Sequence, residues 1–166
     1  SILAAGSLAV AGTPGTQQFA GWNGSEWLAL PSSALNAPGT LVQTTDGTYY
    51  AAAYDSFSTN QNIAARWNGE EWETLPNLPG FRITTDALAA DAENNIYVAG
   101  IIVSSQSTSS AYPIIARWDG VQWSAFGSGI INPDPNTSSR FSGIVSALTF
   151  DANGDLWVGG QFSIAG

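Results

Sequence analysis

A short aromatic motif occurs three times along the chain and constrains its fold more than any other feature. The motif has Trp, then Asn or Asp, then Gly, and a second Trp five positions after the first. Its copies are Trp22–Trp27, Trp67–Trp72 and Trp118–Trp123, which lie about 45 to 50 residues apart. Repeats of this length are typical of β-propeller blades, in which each repeat is one unit of four strands.

A second repeated segment, built from small, β-branched and aromatic residues, accompanies the motif. Its copies are SILAAGSLAVAG, GTYYAAAYDSF, NNIYVAGIIV and GDLWVGGQFSIAG. The repeats divide the chain into three repeat units and an extra terminal strand of the next unit: 1–47, 48–94, 95–154 and 155–166. The third unit is longer because it holds two polar stretches, near Ser104 and near Asn132, which we expect to be surface loops.

Four short strands are predicted in each unit, because runs of β-forming residues alternate with turn signals. In the second unit the predicted strands are about Thr48–Tyr54, Ile63–Trp67, Glu71–Leu75 and Ile83–Ala90. No stretch has sustained helical periodicity. The sequence therefore predicts an all-β chain of β-propeller-type repeats, with three four-stranded blade units plus one extra strand.

The Trp motif is also predicted to form a hairpin, because Asn-Gly and Asp-Gly favour a two-residue type I′ turn. A turn at Asn68–Gly69 places Arg66 opposite Glu71 and Ala65 opposite Trp72, with both Trp residues of the pair on one face of the sheet. We expect the Trp residues to pack between neighbouring blades, and the alternative is that the pairs are platforms on which sugars stack. The residues concerned are Trp22, Trp27, Trp67, Trp72, Trp118, Trp123 and Trp157.

The composition argues against several classes of function. Four basic residues stand against 13 acidic ones, and a net charge of −9 suits neither nucleic acid nor an anionic membrane surface. The sequence has no His, Cys or Lys, which removes the common nucleophilic triads, Schiff-base lysines, zinc sites and disulfides. The longest apolar run, Ile96 to Val103, is far shorter than the roughly 20 residues of a membrane helix. We expect no enzymatic activity, no cofactor and no membrane insertion.

The sequence also contains candidate residues for a calcium site and for N-glycosylation. Asp151, Asn153 and Asp155 offer alternating oxygens, as at the start of a calcium loop, although an Asp/Gly hairpin turn explains the same residues and no bidentate Glu follows. Asn23 and Asn136 begin N-x-S/T triplets for N-glycosylation. Asn23 also lies in a tight turn, which has its own preference for Asn.

The segments IIARWDGVQWSAFGSGI and IVSALTFDANGDLWVGGQFSIAG resemble bacterial extracellular β-propeller repeats of the form W-D-G-x-x-W, D-x-x-G and L-Y-V-G-G-x-F. The resemblance covers nearly the whole chain as three copies, and the first copy departs from it with Gly21 in place of Arg. Kelch-like and two-component-regulator propellers are similar more distantly. The resemblance implies a propeller fold and a secreted or surface-attached location, and it implies no activity and no site residue.

The extra strand predicts open sheet edges. Three blades are too few for a ring, since propellers have about four to eight. In propellers that this sequence resembles, the D-x-x-G turn joins two strands of one blade, so this chain would begin inside one blade and end inside another. Open edges pair readily with another chain, and we therefore expect other copies as partners, in a ring or a filament. The pairing strands would contain Leu3, Val10, Leu156, Val158 and Phe162.

The chain begins at Ser1 rather than at Met, so we expect it to be processed, excised or trimmed. The sequence as a whole predicts a non-enzymatic extracellular β-propeller protein that acts in surface structure, adhesion or self-assembly. A glycan-binding, lectin-like propeller is the alternative. A propeller glycoside hydrolase would need paired carboxylates, whereas Glu26 and Glu71 recur at one repeat position and therefore point to a structural role.

Overall fold

The computed structural model describes residues 2–35, 37–53, 63–76, 83–103, 115–127, 130–131, 141–162 and 164–165. All regular structure in these ranges is β-strand, which confirms the all-β prediction. Nowhere in them is there a helix of the length and apolarity that crossing a membrane requires.

The strands of the described residues fall into antiparallel sheets. Sheet I contains β1 (Ile2–Ala9), β2 (Thr16–Trp22) and β3 (Trp27–Ala29). Sheet II contains β4 (Pro38–Gln43), β5 (Tyr49–Ala53), β6 (Ala64–Trp67) and β7 (Trp72–Thr74). Sheet III contains β8 (Ile83–Ala90), β9 (Ile96–Val103), β10 (Ile115–Trp118) and β11 (Trp123–Ala125). The chain continues with β12 (Ile130–Ile131), β13 (Phe141–Phe150), β14 (Leu156–Gln161) and β15 (Ile164–Ala165).

Strands β13 and β14 pair with each other and are called sheet IV here, and β12 pairs with β15. The start of β13 also pairs with the end of β9, beyond the residues of β9 that pair with β10, so that sheets III and IV are joined there. Sheets II and III are complete four-stranded meanders of the same strand order. By sequence position, sheet I corresponds to the last three strands of such a meander, and sheet IV corresponds to its first two.

Equivalent four-residue turns, TTDG at 44–47, DAEN at 91–94 and DANG at 151–154, connect the first and second strands of sheets II, III and IV. Each turn is closed by a backbone hydrogen bond, in which Thr44, Asp91 or Asp151 donates to the carbonyl four residues later, at 2.9, 3.1 and 3.0 Å. Gly47 and Gly154 have positive φ in the first and the last of these turns, and Asn94 has φ 68° in the second. The repeat units drawn from the sequence therefore begin inside sheets, so that each complete sheet takes its first strand from the preceding unit.

Three apolar layers separate the successive sheets, because alternate residues of each strand point to opposite faces. Layer 1, between sheets I and II, includes Phe19, Ala51, Ala65 and Trp72. Layer 2, between sheets II and III, includes Tyr50, Ala64, Leu75, Val98 and Trp118. Layer 3, between sheets III and IV, includes Tyr97, Ile115 and Val145, with Leu148, Phe150 and Leu156 packed against them. Sheets II and III are thus buried on both faces.

The two-residue turn predicted at Asn68–Gly69 is wrong. Trp67 lies opposite Trp72, and Arg66 lies opposite Glu73, not opposite Glu71 as predicted. The strands are therefore joined by the four-residue loop 68–71, and the predicted ion pair of Arg66 has Glu73 as its partner, at 2.6 Å.

The side chain of Asn68 explains the longer loop. Its Oδ1 accepts hydrogen bonds from the backbone N–H of Glu70 and of Glu71, both at 2.9 Å. Such capping by Asx residues stabilises the loop without positive φ at the Asn, and among the loop residues only Gly69 has positive φ, at 107°. Asn23 and Asp119 cap the other two hairpins in the same way.

Candidate functional site

The Trp pairs are the most regular constellation in the described residues. The two Trp residues of each hairpin face each other directly across the strands. Their ring centroids lie 5.6, 5.3 and 5.4 Å apart in sheets I, II and III, with interplanar angles of 54 to 55°. Such tilted pairs contribute contact energy beyond their buried area.

In sheets II and III the second Trp of the pair contacts the preceding sheet. Trp72 is 7% exposed and stacks on Phe19 of sheet I, with ring centroids 4.2 Å apart. Trp123 donates a hydrogen bond from its Nε1 to the carbonyl of Pro76, which follows sheet II, at 2.7 Å. Trp118 is buried in layer 2. In these two sheets the pairs therefore serve inter-sheet packing.

The Trp pair of sheet I has a different environment. Phe19 packs into layer 1, so by alternation Trp22, with its partner Trp27, lies on the opposite face of the sheet. Trp27 is 40% exposed, although its counterpart Trp72 is buried. The outer face of sheet I thus presents the residue that the repeat elsewhere buries against a preceding sheet.

Trp157 is a second exposed aromatic residue, on the sheet at the other end of the array. Leu156 and Val158 pack into layer 3, so Trp157 lies on the outer face of sheet IV, where it is 63% exposed. Its repeat counterparts Tyr50 and Tyr97 are buried between sheets. Trp157 is held by a hydrogen bond from its Nε1 to Oδ2 of Asp151, at 3.0 Å.

The residues that were predicted to lie in strands pairing with another copy are found in the first and last sheets, I and IV. Leu3 lies beside Gly21, where a Cβ on the glycine would be 3.4 Å from the Leu3 side chain. Val10 follows β1 and is buried. Leu156, Val158 and Phe162 pack against layer 3. All five side chains contribute to the packing of sheets I and IV, and their strands β1 and β14 each pair with one described strand, β2 and β13 respectively.

The carboxylate of Asp151 is occupied by its own turn. Oδ1 accepts from the backbone N–H of Asn153 at 2.8 Å and of Asp155 at 3.0 Å. The hydrogen bond from Trp157, together with those from the turn N–H groups, holds the pKa of Asp151 below its ordinary 3.8. Within the described ranges no three His, Cys, Asp or Glu side chains are grouped closely enough to hold a metal ion.

In the turns that begin at Thr44 and Asp91, the side chains at the same positions make different hydrogen bonds. In the second turn Asp91 Oδ2 accepts from Asn95 Nδ2 at 2.7 Å and from the Tyr97 hydroxyl at 3.0 Å. Burial, followed by this contact with Asp91, raises the pKa of Tyr97 to about 12. In the first turn Thr44 donates to Asp46, and this bond is the main reason that the pKa of Asp46 is lowered.

Of the two candidate glycosylation sites, Asn23 lies within the described residues. Asn23 Oδ1 accepts three hydrogen bonds within its hairpin, from the backbone N–H and hydroxyl of Ser25 and from the backbone N–H of Glu26, each at 2.9 Å. Its side chain therefore caps the turn. Asn136 lies outside the described residues.

The structure adds residues that the sequence reasoning did not single out. Phe19 stacks on Trp72 in layer 1, and Phe126 packs edge-on against Tyr97 of layer 3, with ring centroids 5.2 Å apart. Their repeat positions, three residues before the first Trp and three after the second, are apolar in all three copies, and this periodicity was the available signal.

The first strands of sheets II, III and IV each contain a β-bulge, which no sequence motif predicted. Each has a shift of register at one residue, which is Gly39, Asp86 or Ser146. Bulges of this kind discourage the pairing of a free edge with other strands. Burial raises the pKa of the Asp86 carboxyl above its ordinary 3.8.

No known family model matches the sequence, and no curated protein sequence matches it either.

Proposed function

We propose that this chain is a non-enzymatic extracellular β-propeller protein whose role is self-assembly, in the setting of surface structure or adhesion. The observation that carries the proposal is the contrast between the inner and outer faces of the stacked sheets. The same repeat positions are buried inside the array and exposed at its two ends.

The exposed fractions of equivalent aromatic side chains show how large this contrast is. Trp27 is 40% exposed and its counterpart Trp72 is 7% exposed, while Trp157 is 63% exposed and its counterpart Tyr97 is 5% exposed. Large exposed aromatic residues at positions that the fold otherwise buries are typical of interaction surfaces. Because the internal layers are formed by sheets of this same repeat, we expect each outer face to be covered by a sheet of the same kind.

A non-catalytic role agrees with the hydrogen bonds that two of the described carboxylates, Asp151 and Glu73, make within the fold. Asp151 is engaged by its turn and by Trp157. Glu73 accepts from Arg66 and from Asn68, which lower its pKa. These hydrogen bonds stabilise the turns and the hairpin. The proposed extracellular location rests on the resemblance of the repeats to secreted propellers.

Sedimentation velocity over a wide range of protein concentration tests the proposal. We expect the 166-residue chain to associate reversibly, with the monomer of 17.3 kDa replaced by larger species as concentration rises. A chain that sediments as a monomer at high concentration contradicts self-assembly.

A glycan-binding role is the second candidate, and the observation in its favour is Trp157. An exposed indole beside a carboxylate, here Asp151 at 3.0 Å from its Nε1, suits stacking on a sugar ring with hydrogen bonds at the edge. A glycan array separates the two functions. Binding that is lost in Trp157→Ala, without any self-association of the parent chain, favours the lectin.

A further inference from the structure

Among the described residues, sheets I and IV hold complementary parts of the repeat meander. Sheet IV has the first two strands of the repeat meander, and sheet I has the last three. The second strand therefore occurs in both sheets, as β14 in sheet IV and as β1 in sheet I. Their sequences align over the full segment, ILAAGSLAVAG at 2–12 with LWVGGQFSIAG at 156–166.

The hairpin β2–β3 consequently has two strands that fit its edge. In sheets II and III the equivalent hairpins pair with β5 and β9, whose repeat position is shared by β1 and by β14. Within the chain β2 pairs with β1, and β14 pairs with β13 alone among the described strands.

We propose that β14 of one copy pairs with β2 of a second copy, in place of that copy's own β1. The product is a composite four-stranded sheet, with β13 and β14 from one copy and β2 and β3 from the other. This inference rests on the proposed self-assembly and names its interface.

The exposed aromatic residues supply the driving force. The exchange replaces the pairing of β1 with β2 by the pairing of β14 with β2, so the number of strand pairings is conserved. In the composite sheet, Trp27 of the second copy faces sheet III of the first copy, as Trp72 faces sheet I. It meets Phe126, which is 38% exposed, although its counterpart Leu75 is 7% exposed.

A hydrogen bond is also available at this contact. In layer 2 the Nε1 of Trp123 donates to the carbonyl of Pro76, the residue after Leu75. The corresponding carbonyl for Trp27 of the second copy is that of Gly127, the residue after Phe126. Two exposed aromatic residues thus become mutually buried, with the geometry that the repeat already uses.

The exchange also predicts the size of the assembly. Each copy keeps sheets II and III, and two copies that exchange reciprocally add two composite sheets, which makes six in all. Six blades lie within the range of about four to eight at which propellers close. For the 166-residue chain, a closed dimer is therefore expected, and not an open filament.

Disulfide trapping tests the strand exchange directly, because the chain has no Cys of its own. Ala20 pairs with Ala4 in sheet I, and the aligned position in β14 is Val158, which in its own sheet pairs with Leu148. In the composite sheet Val158 of one copy lies opposite Ala20 of the other, at a spacing that a disulfide can bridge. Mixing Ala20→Cys chains with Val158→Cys chains should give a cross-linked heterodimer under mild oxidation.

Two controls define the background and the role of Trp27. Val121→Cys, at a position 81% exposed on a hairpin loop, mixed with Val158→Cys gives the rate of random collision. Trp27→Ala should weaken dimerisation about thirtyfold, as expected for a central aromatic contact. Leu28→Ala changes a neighbour that is 46% exposed on the opposite face of the same strand and should leave dimerisation unchanged.

The outcomes separate the two proposals. Cross-linking well above the Val121 background, with loss of association in Trp27→Ala alone, supports the composite sheet. Association of the parent chain without that cross-link, or with equal effects of Trp27→Ala and Leu28→Ala, overturns the strand exchange and leaves self-assembly standing. A parent chain that remains monomeric overturns both.

Discussion

Replacement of Trp72 by Ala tests the inter-sheet packing on which the fold is built. Trp72 is 7% exposed and stacks on Phe19 at 4.2 Å, so its removal opens a cavity in layer 1. Truncation of a buried Trp costs about 3–5 kcal/mol. The Nε1 of Trp72 is buried without a hydrogen-bond partner in the structure. Its removal recovers about 1 kcal/mol of desolvation cost, so we expect a net loss of about 2–4 kcal/mol.

Two matched variants isolate the cause. Trp27→Ala removes the same residue from the same motif position, at a site 40% exposed, and should cost about 1 kcal/mol because no facing sheet loses a contact. Trp72→Phe keeps a ring against Phe19 and removes the unpaired N–H, so its stability should lie within about 1 kcal/mol of the parent.

Equilibrium unfolding in urea, followed by far-UV circular dichroism at a concentration where the chain is monomeric, measures these free energies. The reasoning is refuted if Trp72→Ala and Trp27→Ala cost the same. It is also refuted if Trp72→Ala changes the free energy of unfolding by less than about 1 kcal/mol. If the same variant also lost glycan binding, the Trp pairs would be binding platforms for sugars.

Three further outcomes are expected. Asp86→Asn should raise the Tm at pH 7, because burial raises the pKa of Asp86 and the charged form then costs stability; the gain should vanish as the pH falls through that pKa towards 3.8, which thermal unfolding at a series of pH values measures. Calcium and chelator should both leave the Tm unchanged, because the oxygens of Asp151 are engaged within its turn, and a rise of several degrees on adding calcium would make Asp151, Asn153 and Asp155 ligands. Asn94→Ala should cost about 1–2 kcal/mol relative to Asn94→Gly in urea unfolding, since only the alanine carries the strain of φ 68°, and equal stabilities would contradict this account.

Local sequence patterns located most of the strands. The predicted strands of the second repeat differ from β5, β6 and β7 by at most one residue at each end, and the predicted bounds of β8 are those observed. The hairpin register was predicted wrongly because Asn-Gly is compatible with both a two-residue turn and a longer loop. The choice between them depends on the hydrogen bonds from Glu70 and Glu71 to the Asn68 side chain and on the direct contact of Trp67 with Trp72.

The candidate site was predictable only as a set of repeat positions. The sequence by itself determined the strand content, the three Trp pairs and the turns closed by Asp or Thr, because these depend on residues close together in the chain. It gives Trp27 and Trp72 the same motif, and Tyr97 and Trp157 the same place in their strands. Only the tertiary structure decided that Trp72 and Tyr97 are buried while Trp27 and Trp157 are exposed, since the burial of a sheet face depends on whether another sheet lies against it.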